Sequence, residues 1–394
     1  MPLKNATLFA GIIFAFALRL YLAGLGYNYD IESFERVAKI VVSGQSVYAE
    51  TARYNYGILW AYQLAALSYL QNYLNPATDT AANIQAFHLW VAAYVSLAEL
   101  LLAFGIARYS NPKSWKLVLM AWLFNPLSCL LLGYHSAFDI WAILWAYLAL
   151  QQLRQSVAQD KSERKQQVFA AVLMAISLST KHIFIFFPLW ISFYALFAKR
   201  RDYFLSLAFP LISYGVFFLL FLPFSFDEAS RIGIIKHVFS YASADGIAFW
   251  PYVLRALSPD AAAFFSSYWK YFFILSLVFV GFLLRKTKSV EVLFSIYLLA
   301  FVAFSSAMAT QYLYIPLLGI YFLLPRQYFW LYSFWAATFL LLRSPTNLGG
   351  LDFWADFYAS YARPQAFFDA FLSLYALQIA LFGCFIYAIK YVKK

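Results

Sequence analysis

Three places in the sequence set chemically active side chains against long apolar runs. The first is Tyr27-Asn28-Tyr29-Asp30-Ile31-Glu32-Ser33-Phe34, where two carboxylates follow directly on the apolar run 6–23. A carboxylate beside a bilayer surface is partly desolvated, which raises its pKa and makes it a better base. Asp30 is therefore a candidate general base. Glu32 is a second acid or, with Asp30, a ligand for a divalent metal. Asp30 also stands where it would cap a helix starting at Ile31, and the two roles are compatible. The second place is Asn125-Pro126-Leu127-Ser128 followed by Tyr134-His135-Ser136-Ala137-Phe138-Asp139. His135 and Asp139 are four apart and share a face if the helix there begins early. Asp139 at membrane depth is costly, which makes it a functional candidate; the plain alternative is a structural hydrogen bond or an N-terminal helix carboxylate. The third is Ser179-Thr180-Lys181-His182, between two apolar runs with almost no loop. A cation at that depth suits a lipid phosphate, or snorkels to water.

The elements that must hold these residues follow from composition. The chain has 394 residues, 64% hydrophobic and 12% charged, with a mean hydropathy of +0.68. Soluble chains carry about 25% charged residues, so a soluble enzyme, a disordered chain and a nucleic-acid reader are all disfavoured. The 22% aromatic content suits bilayer interfaces. Two cysteines, Cys129 and Cys384, both in apolar runs, build neither a disulfide framework nor a zinc site. The pattern predicts an all-α polytopic membrane protein with twelve spans near 6–23, 84–107, 116–133, 137–153, 167–180, 183–198, 203–223, 269–285, 289–305, 311–324, 328–342 and 367–389. Spans 167–180 and 311–324 are short and need a thinned bilayer or neighbours. The run at 6–23 follows Lys4 but lacks a prompt small-x-small site, so it reads as an uncleaved first span. Arg19 and Glu99 lie inside spans, as a buried pair or as two separate groups.

Basic residues orient the chain. With Lys4 in the cytoplasm, 18 of the 29 Lys and Arg fall in cytoplasmic segments, including Arg108, Lys113, Lys116, Lys161, Lys199 to Arg201, Arg326, Lys393 and Lys394. The +11 net charge is thus mainly a topology signal, and no nucleic-acid partner is expected. The count requires residues 24–83 to stay outside as one loop. Its apolar stretch Tyr54–Tyr73 then lies at the outer interface, where its tyrosines and Trp60 belong. A second surface helix, Ile31–Val42, carries Ile31, Phe34, Val37, Ala38 and Val41 at helical spacing. Ser43–Arg53 joins the two. Longer outer segments follow at 224–268 and 343–366, with Arg231, Lys236, His237, Arg255, Lys270 and Arg343 as further outer basic residues. No phosphate-cradling glycine motif, internal repeat or inverted pair of broken spans is present.

At this point the residues resemble a family. Asp30-Ile31-Glu32, Gly44-Gln45-Ser46-Val47-Tyr48 and Tyr54-Asn55-Tyr56-Gly57-Ile58-Leu59 are similar to the first outer loop of GT-C glycosyltransferases. The nearest likeness is to polyprenol-phosphate-mannose enzymes, including those that add the first mannose of the glycosylphosphatidylinositol anchor. Asn125-Pro126 with His135 to Asp139, Thr180-Lys181 and Thr310-Gln311-Tyr312 resemble further family positions. The resemblance covers residues 1–200 and the patch 305–325. It departs in having Asp-x-Glu where the anchor enzymes have Asp-x-Asp.

The resemblance implies a GT-C fold of about twelve spans, with two interfacial helices in the catalytic loop 24–83. Residues 1–223 form the GT-C-type module; 224–394 hold the loop 224–268 and a variable C-terminal module. It implies transfer of a monosaccharide, mannose or another hexose, from a polyprenyl-phosphate donor to a lipid- or glycan-linked acceptor on the exoplasmic face. The membrane is a bacterial inner membrane or an endomembrane such as the endoplasmic reticulum. Transfer inverts the anomeric centre, with Asp30 as general base. The departing phosphate needs charge stabilisation, not protonation, and Lys181 and His182 can supply it. Tyr54, Tyr56, His135, Asp139, Gln311 and Tyr312 are the expected donor- and acceptor-binding residues. No cofactor is obligatory, although a divalent metal on Asp30 and Glu32 is compatible. Two other functions fit a multispan chain working outside: a lipid-linked polysaccharide polymerase, and a non-enzymatic flippase or transporter of lipid-linked saccharides.

Overall fold

Long apolar runs in lipid must bond their own backbone groups, and helices do so segment by segment. The computed structural model describes residues 5–74, 80–110, 112–159, 164–198, 207–240, 248–342 and 371–392. Among these residues it is helical, with no β-strand. The helices are α1 (Asn5–Gly24), α2 (Tyr29–Val42), α3 (Val47–Glu50), α4 (Ile58–Leu74), α5 (Thr80–Ser110), α6 (Trp115–Leu123), α7 (Pro126–Ser128), α8 (Asp139–Gln159), α9 (Arg164–Thr180), α10 (Phe187–Phe197) and α11 (Phe209–Leu219). Then come α12 (Leu222–Ser225), α13 (Glu228–Gly233), α14 (Phe249–Leu257), α15 (Pro259–Leu283), α16 (Val290–Ala303), α17 (Leu317–Leu323), α18 (Arg326–Leu342) and α19 (Leu374–Val392). Wider π-turns run over Cys129–Tyr134 and Ile234–Phe239, and tighter 3-10 turns over His182–Phe184 and Thr310–Tyr314.

Among the described residues, four helices are long and apolar enough to cross a membrane: α1, residues 82–109 of α5, α15 and α19. A fifth span exists if α6 and Pro126–Tyr134, bent by 45°, count as one. The chain is thus a helical membrane protein. Several other expected runs are also helical but shorter, such as Phe209–Leu219 and Val290–Ala303. The first residues of the expected spans at 203 and 367, the segment 343–366, and Lys4, Lys161, Lys199, Arg200, Arg201, Lys393 and Lys394 lie outside the described residues.

The chain divides into two compact units. Unit 1 takes residues 1–144, 223–239 and 332–365; unit 2 takes 145–222, 240–331 and 366–394. In unit 1, α1, α5 and the bent span enclose a polar staple. Arg19 and Glu99 are paired at 2.5 Å, at 1% and 0% exposure. Ser128 joins both, accepting from Arg19 at 3.1 Å and donating to Glu99. A paired and hydrogen-bonded charge is tolerable at depth where a lone one is not. Gly133 lets the bent span approach α1, because a Cβ there would sit 3.0 Å from the Arg19 carbonyl oxygen. Asn125 caps α7 through Ser128 N and donates to Ser333 Oγ at 2.6 Å.

Residues 25–74 of unit 1 build a packed platform. The predicted surface helix is α2, and it buries Ile31, Phe34, Val37 and Ala38. The apolar stretch 54–73 forms α4, which starts later, at Ile58, and packs Trp60, Ala61 and Leu64 inward. At 17 residues α4 is not among the membrane-crossing helices. The joining segment 43–53 is not plain loop, since it holds α3.

Candidate functional site

The site residues expected in unit 1 gather at the start of α2 and the turn before α8. Asn28, not Asp30, caps α2: its Oδ1 accepts from the Asp30 and Ile31 amides at 3.1 and 3.3 Å. The expected cap at Asp30 is therefore corrected. Both residue types cap well, and the helix simply begins two residues earlier, at Tyr29. Asp30 stands half-buried in the first turn, where the helix dipole favours a carboxylate. Glu32 is exposed. Two residues apart on one helix, Asp30 and Glu32 point about 200° apart, so α2 does not aim both carboxylates at one ion. Among the described residues no group of three or more His, Cys, Asp or Glu is arranged to hold a metal.

The second correction concerns His135 and Asp139. They do not share a helix face, because α8 begins only at Asp139 and His135 closes the π-turn Cys129–Tyr134. Between them Ser136 takes φ 48°, a left-handed conformation rare for a non-glycine residue. Both side chains are nonetheless buried, and His135 reaches the α2 entry. His135 Nδ1 lies 3.0 Å from Asn28 Nδ2. Burial, with His88 as the second influence, holds the His135 pKa down at about 4, so the ring is neutral near pH 7. Asp139 is fully buried in the first turn of α8.

Aromatic packing fixes this arrangement. Phe138 stacks on Trp60 at 4.4 Å and 6°, and meets Phe34 and Tyr56 edge-on at 5.6 and 4.8 Å. One ring thus ties α2, α4 and the 134–139 turn. Tyr56 is half-buried, and its carbonyl accepts from Tyr48. Tyr54 lies beside Tyr56 in the turn before α4. It is buried, its hydroxyl donates to the Gly57 carbonyl and accepts from Ala61 N, and so it closes the turn into α4.

Unit 2 holds the other expected residues. Lys181 follows α9 in extended backbone, where the helix C-terminus favours a cation. It is 2% exposed, which is incompatible with snorkelling into water. Its Nζ donates to Gln311 Oε1 at 3.1 Å and lies 5.6 Å from the centre of the Tyr312 ring. Two segments 130 residues apart in sequence thus meet. Tyr297, donating to the Ile183 carbonyl at 2.8 Å, holds the 182–184 turn. His182 itself is half-buried.

Three residues near the unit 1 site escaped the sequence reading. Asn28 was hidden beside the more reactive Asp30. His88, on α5, bonds the Gly26 carbonyl at 2.9 Å and fixes the α1–α2 connection. It is one of only four histidines and sits in an apolar run, which is the signal that could have found it. Arg53 places its guanidinium 4.2 Å over the Tyr29 ring, next to Asp30.

Comparison with protein-family models, with curated proteins and with solved structures finds no match to this chain.

Proposed function

We propose that this chain is an inverting membrane glycosyltransferase. It moves a hexose, mannose being one choice, from a polyprenyl-phosphate donor to a lipid- or glycan-linked acceptor. The observation that carries this reading is the opening turn of α2. A half-buried carboxylate, Asp30, stands directly after an apolar span, in a turn whose amides are held by Asn28. The acceptor hydroxyl attacks the anomeric carbon as the phosphate leaves from the opposite side. Asp30 takes the hydroxyl proton. The phosphate departs as an anion and needs charge stabilisation, not protonation. Within unit 2, Lys181 beside Gln311 and Tyr312 is a cation of the kind that binds a phosphate. In unit 1, His135, Asp139 and Tyr56 are the residues proposed to hold the sugar and acceptor. The same reading includes the GT-C fold, twelve spans with both termini in the cytoplasm, and an exoplasmic reaction. A glycan polymerase would instead draw on a long lipid-linked chain. Purified protein incubated with synthetic polyprenyl-phosphate hexoses and a membrane lipid extract tests the reading. Labelled hexose should move to a lipid or glycan product. Hydrolysis alone, or no consumption of any monosaccharide donor, would argue against it.

A further inference from the structure

Asn28 is 7% exposed, and each end of its amide has a task. The Oδ1 is occupied by the two α2 amides, so the end facing His135 is Nδ2, which can only donate. A donor facing Nδ1 requires a lone pair there. The neutral ring must then carry its proton on Nε2. That Nε2 is buried and has no hydrogen-bond partner among the described residues, in a residue only 4% exposed. A buried N–H left unmatched is costly and marks a place where an incoming oxygen completes the bond. The turn presenting it is held by the left-handed Ser136 and by the aromatic contacts of Phe138. With one lone pair engaged by Asn28 and the other nitrogen protonated, the ring has nothing to offer a metal ion.

We infer that Asn28 is a positioning residue that locks His135 as a neutral Nε2–H donor to an uncharged oxygen of the carbohydrate. The ligand rests on the glycosyl-transfer reading; the locked tautomer does not. A buried water oxygen is the other source of the same chemistry.

Nitrogen-15 NMR of histidine-labelled full-length protein in detergent reads the tautomer directly. Wild type should show His135 protonated on Nε2 alone at neutral pH. Adding a synthetic polyprenyl-phosphate hexose should shift the Nε2 resonance, and inorganic phosphate should not. Asn28→Ser keeps a capping oxygen but cannot reach the ring. It should mix the two tautomers and lower kcat/KM by roughly 100-fold, the scale of a misplaced contact group. Asn28→Asp also caps, but a carboxylate opposite Nδ1 should draw the proton there. An unchanged tautomer in both variants would overturn the inference, as would full transfer with a scrambled tautomer. A locked tautomer that no hexose donor perturbs would assign the oxygen to water and overturn the carbohydrate role. A locked, donor-responsive tautomer in a protein that transfers nothing would count against glycosyl transfer while upholding Asn28.

Discussion

At the residue scale, position along a helix decides what a side chain can do. Lys181 was legible as a cation at membrane depth, because it stands between two apolar runs without a loop. Its partners Gln311 and Tyr312 are 130 and 131 positions away, and no local pattern joins them. If Lys181 meets the donor phosphate, Lys181→Ala removes a charge-assisted bond worth about 1.5–3 kcal/mol. The expected result is a kcat/KM about 10- to 100-fold lower, mostly through KM for the donor. Unchanged donor dependence would make Lys181 a structural cation. His135 has a separate signature. Its folded pKa near 4 lies below the ordinary value of 6.5, so the unfolded chain binds its proton first as pH falls. Stability linked to His135 is complete above about pH 6.5 and is lost progressively toward pH 4. His135→Asn should flatten the acid side of a thermal-unfolding profile relative to wild type. Identical profiles would mean that His135 is not held neutral by burial.

At the element scale, periodicity showed where helices lie but not how they are tied. The face Ile31, Phe34, Val37 and Ala38 of α2 was readable at 3.6-residue spacing, and it is the buried face. The π-turn at 129–134 was not readable, and neither was its close approach to Arg19 at Gly133, a contact between distant segments. For the same reason sequence left Arg19 and Glu99 either paired or separate; Ser128 on a third element joins them. The segment 223–239 belongs with unit 1 through similar contacts. Ser230 and Ser46 hydroxyls bond at 2.6 Å, and Phe224 packs edge-on against Tyr48 at 5.3 Å. A Cβ on Gly233 would fall 1.8 Å from the Tyr48 carbonyl oxygen. Gly233→Ala should therefore cost about 1–3 kcal/mol and loosen this segment. Gly215→Ala, whose Cβ meets nothing within 4 Å, should be neutral or stabilising. A lower unfolding midpoint for Gly233→Ala alone, with faster proteolysis at 223–239, checks the contact. Equal behaviour of the two variants would contradict it.

At the scale of the whole molecule, composition alone sufficed for a helical membrane protein, since a chain 12% charged cannot coat itself for water. Orientation rests on Lys and Arg bias, which is a rule about insertion, not a contact. Single cysteines placed within 153–166 and 230–240 should separate the two sides: in intact cells, an impermeant reagent should label the second region only. Labelling of the first would invert the proposed topology. The chemistry has one decisive substitution. Asp30→Asn keeps the size of the side chain, and Asn28 continues to cap α2, so the fold should be preserved. A general base contributes about 100- to 10,000-fold. Hexose transfer from a synthetic polyprenyl-phosphate donor is therefore measured for wild type and Asp30→Asn, both shown to fold and to bind the donor. The expected result is transfer by wild type and a loss of at least about 100-fold in kcat with little change in donor affinity. A folded, donor-binding Asp30→Asn protein that turns over at the wild-type rate would contradict Asp30 as the base.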